Sequence, residues 1–164
     1  MNQGAPRFEA KIRAPRDLGQ WLGALQRPLV FTNGVFDVLH RGHVSYLARA
    51  RSLGAALLVA LNGDASARRL GKGGDRPVNT LQDRLAVVAA LEFVDAVTWF
   101  DEDTPLALIQ ACRPEILAKG GDWPRERIVG AEDVLTRGGR VESIPFEHER
   151  STTELLKRIR GDQA

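Results

Sequence analysis

The sequence contains one cysteine and no apolar segment long enough to cross a membrane. A single thiol, Cys112, cannot form an internal disulfide, and it fits a reducing compartment. Because Cys112 lies within an apolar helical pattern, we expect a buried, unreactive thiol rather than a nucleophile. Residues 1–17 carry charges but lack the apolar core of a secretory signal. These absences predict a cytoplasmic protein with no membrane partner.

A strong excess of either charge is also missing. The 23 Lys and Arg residues nearly balance the 21 Asp and Glu residues, which leaves a formal net charge of +2. This mild bias suits small phosphorylated ligands and is too weak to predict a nucleic-acid surface. With 164 residues, of which 43% are hydrophobic and 27% charged, the chain is expected to form one soluble globular domain.

The two familiar glycine-rich phosphate fingerprints are absent. Gly71-Lys72-Gly73-Gly74 does not match G-x-x-x-x-G-K-[ST], and no predicted strand is followed by G-x-G-x-x-G. The sequence therefore disfavours a P-loop kinase and a dinucleotide-dependent dehydrogenase.

Strands and helices alternate along most of the chain. After a flexible lead-in at residues 1–15, residues 16–26 predict an amphipathic helix with Leu18, Leu22 and Leu25 on one face. Five apolar runs predict strands at 28–33, 56–62, 96–100, 115–120 and 140–146. Helical periodicity predicts helices at 43–53, 64–70, 80–93, 104–112, 131–139 and 151–160, the fourth with Thr104 as its N-cap. This pattern indicates a single Rossmann-like, doubly wound α/β domain with a five-stranded parallel sheet.

Ligands of such sheets bind outside the carboxyl ends of the strands, and the first strand leads into two histidines there. The segment reads Phe36-Asp37-x-x-His40-x-Gly42-His43, at the predicted start of a helix. One helical turn brings both imidazoles to the same side, and Gly42 lets a ligand approach the backbone. Two imidazoles above a helix N-terminus form a cradle for phosphate. Structural histidines remain the alternative.

The same two histidines are weaker candidates for a zinc site. Zinc needs a third or fourth ligand, and Cys112 and His148 are the only other soft candidates. Neither lies in a cluster with ligand spacing, so no protein metal site is predicted.

Three further segments bring polar residues to this edge of the sheet. The glycine-rich segment 70–77 carries Lys72 and Arg76, and it is interpreted either as a mobile phosphate-closing loop or as a surface loop. Residues 119–123 (KGGDW) directly follow a strand, where paired glycines suit a close ligand or a plain turn. Residues 150–154 (RSTTE) open the last helix, where a capping box can also bind phosphate.

Arg84 has two possible partners. Thr80 and Asp83 have the spacing of a capping box, which makes Asp83 structural. Arg84 lies beside Asp83 and could contact phosphate or pair with a carboxylate.

Together, these segments resemble the cytidylyltransferase-like superfamily of nucleotidyltransferases, from about Pro28 to Arg158. Residues 31–34 (FTNG), 74–79 (GDRPVN), 100–105 (FDEDTP), 119–122 (KGGD) and 151–153 (STT) further resemble the D-glycero-β-D-manno-heptose 1-phosphate adenylyltransferases. The resemblance implies that residues 16–164 form a nucleotidyltransferase domain that makes ADP-heptose for the lipopolysaccharide core. Some relatives fuse this domain to a sugar kinase, and we expect the stand-alone form here.

The resemblance also implies roles for individual residues. His40, His43 and Lys72 would be the catalytic residues, because they would contact the triphosphate. The expected nucleotide-binding residues are Thr32, Asn33, Gly34, Val35, Phe36, Asp37, His40, Gly42, His43, Lys72, Arg84, Phe146, Arg150, Ser151 and Thr152. The expected acceptor-binding residues are Asn33, Asp37, Arg76, Lys119, Gly120, Gly121, Asp122 and Trp123. Mg²⁺ would bridge the ATP phosphates, largely through ligand and water oxygens.

Other functions remain open at this point. The same histidine motif suits a cytidylyltransferase that acts on a polyol phosphate such as glycerol 3-phosphate. A nucleotide- or RNA-binding module without catalysis is the non-enzyme alternative. ATP and heptose 1-phosphate are the expected ligands, nucleic acid is not expected, and a homodimer is a family-level expectation.

Overall fold

The computed structural model describes residues 6–71, 76–121, 123–146 and 152–161. In these parts of the chain, five strands form one sheet in which every neighbouring pair is parallel. The strands are β1 Leu29–Gly34, β2 Ala56–Asn62, β3 Ala96–Phe100, β4 Ile116–Gly120 and β5 Arg140–Ile144. Their spatial order is β3-β2-β1-β4-β5, so the order reverses at β1. The predicted five-stranded parallel sheet is confirmed.

Seven α-helices are described around this sheet. They are α1 Leu18–Trp21, α2 Arg41–Ser52, α3 Asp64–Arg69, α4 Leu81–Ala89, α5 Leu106–Cys112, α6 Ala131–Thr136 and α7 Thr152–Arg160. Short 3-10 turns occur at Glu9–Lys11, Pro15–Asp17, Leu22–Ala24 and Arg125–Arg127. None of the described helices is long and apolar enough to cross a membrane.

Helices cover both faces of the sheet. On one face, α2 and α4 contribute Leu47 and Leu85 to a core that includes Val59 of β2. On the other face, Ile109 of α5 and Val134 of α6 pack in a second core. Every residue of β2 is buried as a result, which explains why its sequence is continuously apolar.

β1 and β4 pair over only a short stretch. β1 pairs with β2 along its whole length, from Leu29 to Gly34. With β4 it pairs only at Val30 and Phe31. The ends of β1 and β4 therefore leave a gap where the strand order reverses, which is the place where open α/β sheets bind ligands.

The structure corrects the prediction of one helix over residues 16–26. This segment forms a 3-10 turn, the four-residue α1 and a second 3-10 turn. Gly19 lies within α1 and Gly23 within the second 3-10 turn, and glycine is a poor helix former that disfavours a longer helix here. Leu18, Leu22 and Leu25 still pack against the core, so the apolar pattern reported burial correctly.

Residues 6–15 contact the sheet and the connection that precedes β3. The Arg13 N–H donates to the Val97 carbonyl at 2.8 Å, and Lys11 Nζ donates to the Leu91 carbonyl at 2.9 Å. These bonds attach the segment to the β3 edge of the sheet.

Local predictions at two other helices had different outcomes. The Thr80 cap of α4 is confirmed, since the Asp83 N–H donates to Thr80 Oγ1 at 3.3 Å. The Thr104 cap of α5 is wrong, because α5 begins at Leu106 and Pro105 occupies the capping position. Cys112, at the end of α5, is fully buried as predicted. Burial raises the pKa of its thiol to about 12, although the charge of Arg27 opposes this.

Candidate active site

A cavity of about 360 Å³ lies at the carboxyl ends of β1 and β4. It is called the first cavity below. Its lining comes from the β1–α2 segment, the end of β4 and residues near α3, α4, β5 and α7. The lining residues are Asn33, Gly34, Val35, Phe36, Asp37, His43, Tyr46, Ala67, Arg76, Pro77, Lys119, Gly120, Trp123, Phe146 and Thr152.

His40 and His43 stack on each other at the start of α2. His40 is the N-cap residue, with an extended backbone, and His43 follows within the first turn. Their ring centroids are 3.9 Å apart, with an interplanar angle of 31°. His43 lines the first cavity, whereas His40 does not line it but contacts His43.

Burial of the His40 ring favours its neutral state. Burial lowers the pKa of His40. Among the described residues, His40 Nδ1 is buried without a hydrogen-bond partner. Two stacked imidazolium cations would repel each other, and an anionic ligand would relieve that repulsion. The amide groups at the start of α2 add a positive dipole end, so the arrangement suits phosphate.

Phe36 supports this pair through an uncommon backbone conformation. Its φ is +49°, in the left-handed region. Its ring meets His43 edge-on, with centroids 5.5 Å apart. A Cβ at Gly34 would lie 2.9 Å from the Phe36 ring, so glycine is required there for the ring to lie against the backbone.

Asp37 anchors a loop rather than acting as a base. Its Oδ2 accepts from the Val78 N–H and its Oδ1 accepts from the Asn79 N–H, both at 2.9 Å. In return, Asn79 Nδ2 donates to the Asp37 carbonyl at 2.7 Å. Asp37 is buried, and both its carboxylate oxygens hold the backbone that follows the 70–77 segment. This geometry fixes the base of that segment beside the first cavity.

The guanidinium of Arg84 is used inside the protein. It is only 1% exposed and does not line the first cavity. Its Nη2 pairs with Asp64 Oδ1 at 2.7 Å. Its other donors bond to the carbonyls of Val35 (2.7 Å), Asn62 (2.9 Å) and Asn79 (3.2 Å). Arg84 therefore forms the carboxylate pair that the sequence left open, and its expected contact with the nucleotide stays a prediction.

Thr32 is likewise directed into the protein. It is fully buried, and its hydroxyl forms a short hydrogen bond with the Tyr46 hydroxyl. The Gly120 backbone also hydrogen-bonds to Tyr46. Tyr46 therefore connects β1, α2 and β4 across the gap between the strands. The Thr32 hydroxyl takes part in this bridge, and its expected contact with the nucleotide stays a prediction.

The end of β4 forms the opposite wall of the first cavity. Lys119 Nζ lies 3.4 Å from Asn33 Oδ1, which brings a cation to the gap. A Cβ at Gly120 would lie 2.8 Å from Phe146 Cζ, so the missing side chain makes room for that ring. Trp123 is 50% exposed and Phe146 is 47% exposed. These two aromatic side chains offer flat apolar surfaces to a ligand.

α7 lines the first cavity on the side of the segment between β1 and α2. Thr152 Oγ1 donates to the Val38 carbonyl at 3.2 Å. Arg76 Nη2 donates to Thr153 Oγ1 at 3.4 Å. Arg76 and Thr152 both line the cavity, so Arg76 and the first turn of α7 meet at its rim.

The predicted site residues fall into three groups. The first cavity brings together Asn33, Gly34, Val35, Phe36, Asp37, His43, Arg76, Lys119, Gly120, Trp123, Phe146 and Thr152. Five do not line it, namely Thr32, His40, Gly42, Arg84 and Gly121. Lys72, Asp122, Arg150 and Ser151 lie outside the described residues.

Tyr46, Ala67 and Pro77 also line the first cavity but are not among the predicted site residues. Tyr46 lies three residues after His43 on α2, so helical spacing placed it on the histidine side. Ala67 lies on α3, directly after β2, and nothing in its residue type indicates a site.

Comparison with known proteins relates nearly the whole chain to one family. A family model described as cytidylyltransferase-like matches residues 31–158. A D-beta-D-heptose 1-phosphate adenylyltransferase of Bordetella bronchiseptica is 56% identical over 156 residues. That match covers 94% of this chain and 96% of the relative. The resemblance predicted from the motifs is confirmed.

Two other relatives show how far the similarity extends. The bifunctional protein HldE of Hahella chejuensis is 52% identical over 135 residues, which cover 82% of this chain but 28% of that protein. A solved structure, the lipopolysaccharide core biosynthesis protein of Thermoplasma volcanium, matches with a TM-score of 0.59 and 29% identity. It covers 74% of this chain and 98% of its own.

Proposed function

The chain belongs to the cytidylyltransferase-like family, and we propose that it transfers AMP from ATP to D-glycero-β-D-manno-heptose 1-phosphate. The products are ADP-heptose, a precursor for the lipopolysaccharide core, and pyrophosphate. The observation that carries the proposal is the stacked His40–His43 pair at the start of α2, beside the cavity at the strand gap. The 56% identity with the Bordetella enzyme over nearly the full length of both chains supports the choice of acceptor.

The chemistry requires alignment more than proton transfer. The acceptor phosphate carries negative oxygens at neutral pH, because its second pKa is about 6. One of these oxygens attacks the α-phosphorus of ATP, a new P–O bond forms, and the bond to the β-phosphate oxygen breaks. Pyrophosphate leaves with the bonding electrons. The protein has to hold the reacting groups in line and stabilise the charge that develops on the phosphates.

The described residues are suited to these two tasks. His43 faces the first cavity and would donate to the triphosphate, while His40 supports its ring from the other side. The amide groups at the start of α2 would add hydrogen bonds to the same phosphates. Lys119 and Arg76 line the cavity as further cations. Lys72 and Ser151 remain proposed phosphate contacts, although they lie outside the described residues.

Mg²⁺ would be held mainly by the phosphates of the nucleotide. The described residues contain no group of three or more His, Cys, Asp or Glu placed to hold a metal ion. Asp37, the carboxylate that lines the first cavity, accepts backbone N–H bonds at both oxygens. Mg²⁺ that keeps water and phosphate oxygens as ligands fits such a site, since it seldom requires a protein cage. When bound, it would neutralise charge on the leaving pyrophosphate.

A pyrophosphate-release assay tests the proposal. The purified protein is incubated with Mg²⁺ and heptose 1-phosphate, with ATP or CTP in parallel reactions. We expect pyrophosphate release with ATP and none with CTP. Release with CTP and glycerol 3-phosphate would instead identify a polyol-phosphate cytidylyltransferase. If a folded sample releases no pyrophosphate with any combination of nucleotide and acceptor, the catalytic proposal is overturned.

The His43→Ala variant tests the residue that carries the mechanism. Loss of one donor that acts in the transition state lowers the rate by about 10²–10³. We therefore expect kcat to fall by that factor while the circular dichroism spectrum stays unchanged. Gln110→Ala, at an exposed position on α5 away from the cavity, is the control. Near-normal turnover by the His43 variant would contradict the assigned role.

A further inference from the structure

A second cavity, also of about 360 Å³, adjoins the first. The two cavities share a wall formed by residues 33–35 at the end of β1, together with Lys119 and Trp123. Beyond that wall the second cavity reaches Asp103 and Thr104 after β3, and Arg127 before α6. Neither histidine of α2 lines it.

The shared wall is where two phosphorylated ligands can meet. Lys119 Nζ is held near Asn33 Oδ1, at 3.4 Å, and both residues line both cavities. A cation at this position can attract the phosphate of a ligand on either side. A transferase needs such a meeting point, because the attacking oxygen and the α-phosphorus must approach within bonding reach.

The rest of the second cavity suits a polyhydroxylated body rather than another triphosphate. Apolar surface comes from Leu70, Phe100 and Ile128, beside the exposed ring of Trp123. Around this surface lie groups that can bond to hydroxyls, namely the Asp103 carboxylate, the Thr104 hydroxyl and the Arg127 guanidinium. Beyond the shared wall, the charged residues that line the second cavity are one arginine and one aspartate, so their formal charges cancel. A sugar has both features, apolar C–H faces and hydrogen-bonding hydroxyls.

The fold brings two of the polar residues to this cavity. Asp103 Oδ1 accepts from Arg69 Nε at 2.7 Å, which connects the β3–α5 loop to α3. Arg127 ends a 3-10 turn, and Ile128, the next residue, is buried. The backbone on both outer sides is therefore in place before a ligand binds, while the exposed Arg127 side chain can turn toward it.

We propose that this second cavity binds the sugar body of the acceptor, with its phosphate at the Asn33–Lys119 wall. Arg127 and Thr104 bind the sugar hydroxyls and so select the acceptor. This assignment rests on the proposed function and refines it. Of the acceptor-binding residues expected from the sequence, Asn33, Lys119 and Trp123 line both cavities. Asp37, Arg76 and Gly120 line only the first.

The kinetic test uses Arg127→Gln and Thr104→Val. The second change keeps the side-chain shape and removes the hydroxyl. Because a hydrogen bond to bound ligand is lost in each variant, we expect KM for heptose 1-phosphate to rise about tenfold or more. KM for ATP and kcat should stay within about twofold, since contacts made equally in the ground and transition states change KM alone.

Arg125→Gln is the matched control. Arg125 lies on the same 3-10 turn as Arg127, but it points to Glu142, at 3.9 Å, and lines neither cavity. An unchanged acceptor KM in both the Arg127 and Thr104 variants would overturn the proposal. A rise in the ATP KM without a rise in the acceptor KM would also overturn it, because it would assign the second cavity to the nucleotide.

Calorimetric binding of heptose 1-phosphate separates this proposal from the proposed reaction. If wild type binds the sugar phosphate without turnover and Arg127→Gln weakens that binding about tenfold, the acceptor site stands and the reaction is wrong. If wild type turns over but both variants bind normally, the reaction stands and the acceptor site is wrong. If wild type neither binds nor turns over, both are overturned. Thermal unfolding of each variant confirms that it folds.

Discussion

Replacing Arg84 by methionine removes a buried charge that connects four parts of the chain. Methionine has a similar length and fits an apolar environment, so the main loss is of hydrogen bonds. Arg84 makes one ion pair, to Asp64, and three bonds to backbone carbonyls. We expect Arg84→Met to lower the free energy of unfolding by several kcal/mol. Because Arg84 does not line the first cavity, the change should not remove a contact with the nucleotide phosphates.

The magnitude follows from the groups that lose a partner. A buried polar group left unsatisfied costs about 1–3 kcal/mol. Of the three carbonyls that lose a bond, only that of Asn62 is in a buried bond, whereas those of Val35 and Asn79 are in partly buried bonds, where water replaces part of the loss. The Asp64 side chain is 32% exposed, so water compensates part of its loss. The total is about 3–5 kcal/mol, the range measured when one partner of a buried ion pair is removed. For a domain of this size, this corresponds to a fall in Tm of about 10 °C.

Urea denaturation followed by circular dichroism measures the effect. Arg68→Met is the matched control, because Arg68 lies on α3, next to the Asp64 turn, and is exposed. Its expected effect is within about 0.5 kcal/mol. Equal stability of the two variants would refute the reasoning. Such a result combined with a raised KM for ATP would return Arg84 to the nucleotide-binding role expected from the sequence.

Two further predictions concern pH and the Tyr46 bridge. Burial lowers the pKa of His40 below 6.5, so the unfolded chain takes up its proton first. The free energy of unfolding should therefore fall as the pH drops below about 6.5, and His40→Gln should flatten this slope in urea titrations between about pH 5.5 and 7.5. Tyr46→Phe keeps the ring but removes the bridge from Thr32 to Gly120, so it should lower the free energy of unfolding by about 1 kcal/mol or more.

Each of these predictions has a clear contrary result. An unchanged pH slope in His40→Gln would show that another group titrates in that range. The Glu115 carboxyl is not that group, because hydrogen bonds from Leu29 and Arg27 outweigh its burial and lower its pKa below the usual 4.5. A Tyr46→Phe variant as stable as wild type would mean that the bridge between the strands is not stabilising.

The sheet could be predicted from the sequence because its strands are buried on both faces. β2 and β3 were predicted at 56–62 and 96–100, which are their bounds in the structure. Continuous apolar runs arise only where both sides of a strand are covered. The helix predicted at 16–26 was wrong because apolar spacing reports which residues are buried, whereas the two glycines at 19 and 23 lower the stability of a continuous helix.

The site residues that directly follow a strand could be predicted from the sequence, because the end of the strand fixes where they lie. The segment from Asn33 to Asp37 directly follows β1, and the structure places it in the first cavity. Arg84 was not predictable in this way, because its partners at Val35 and Asn62 are 49 and 22 residues away. A buried arginine and a ligand-binding arginine look alike in sequence, and only the fold distinguishes them.

The bond between Thr152 and Val38 has a consequence for the order of events during synthesis. It joins residues 114 positions apart, and it brings α7 onto the loop that follows β1. The histidine pair and the first two strands leave the ribosome long before α7 is made. Until residue 152 emerges, the first cavity lacks one of its walls, so a nascent chain can build most of the sheet without an enclosed site. If the first cavity binds the nucleotide as proposed, binding should therefore begin only as the last described helix docks.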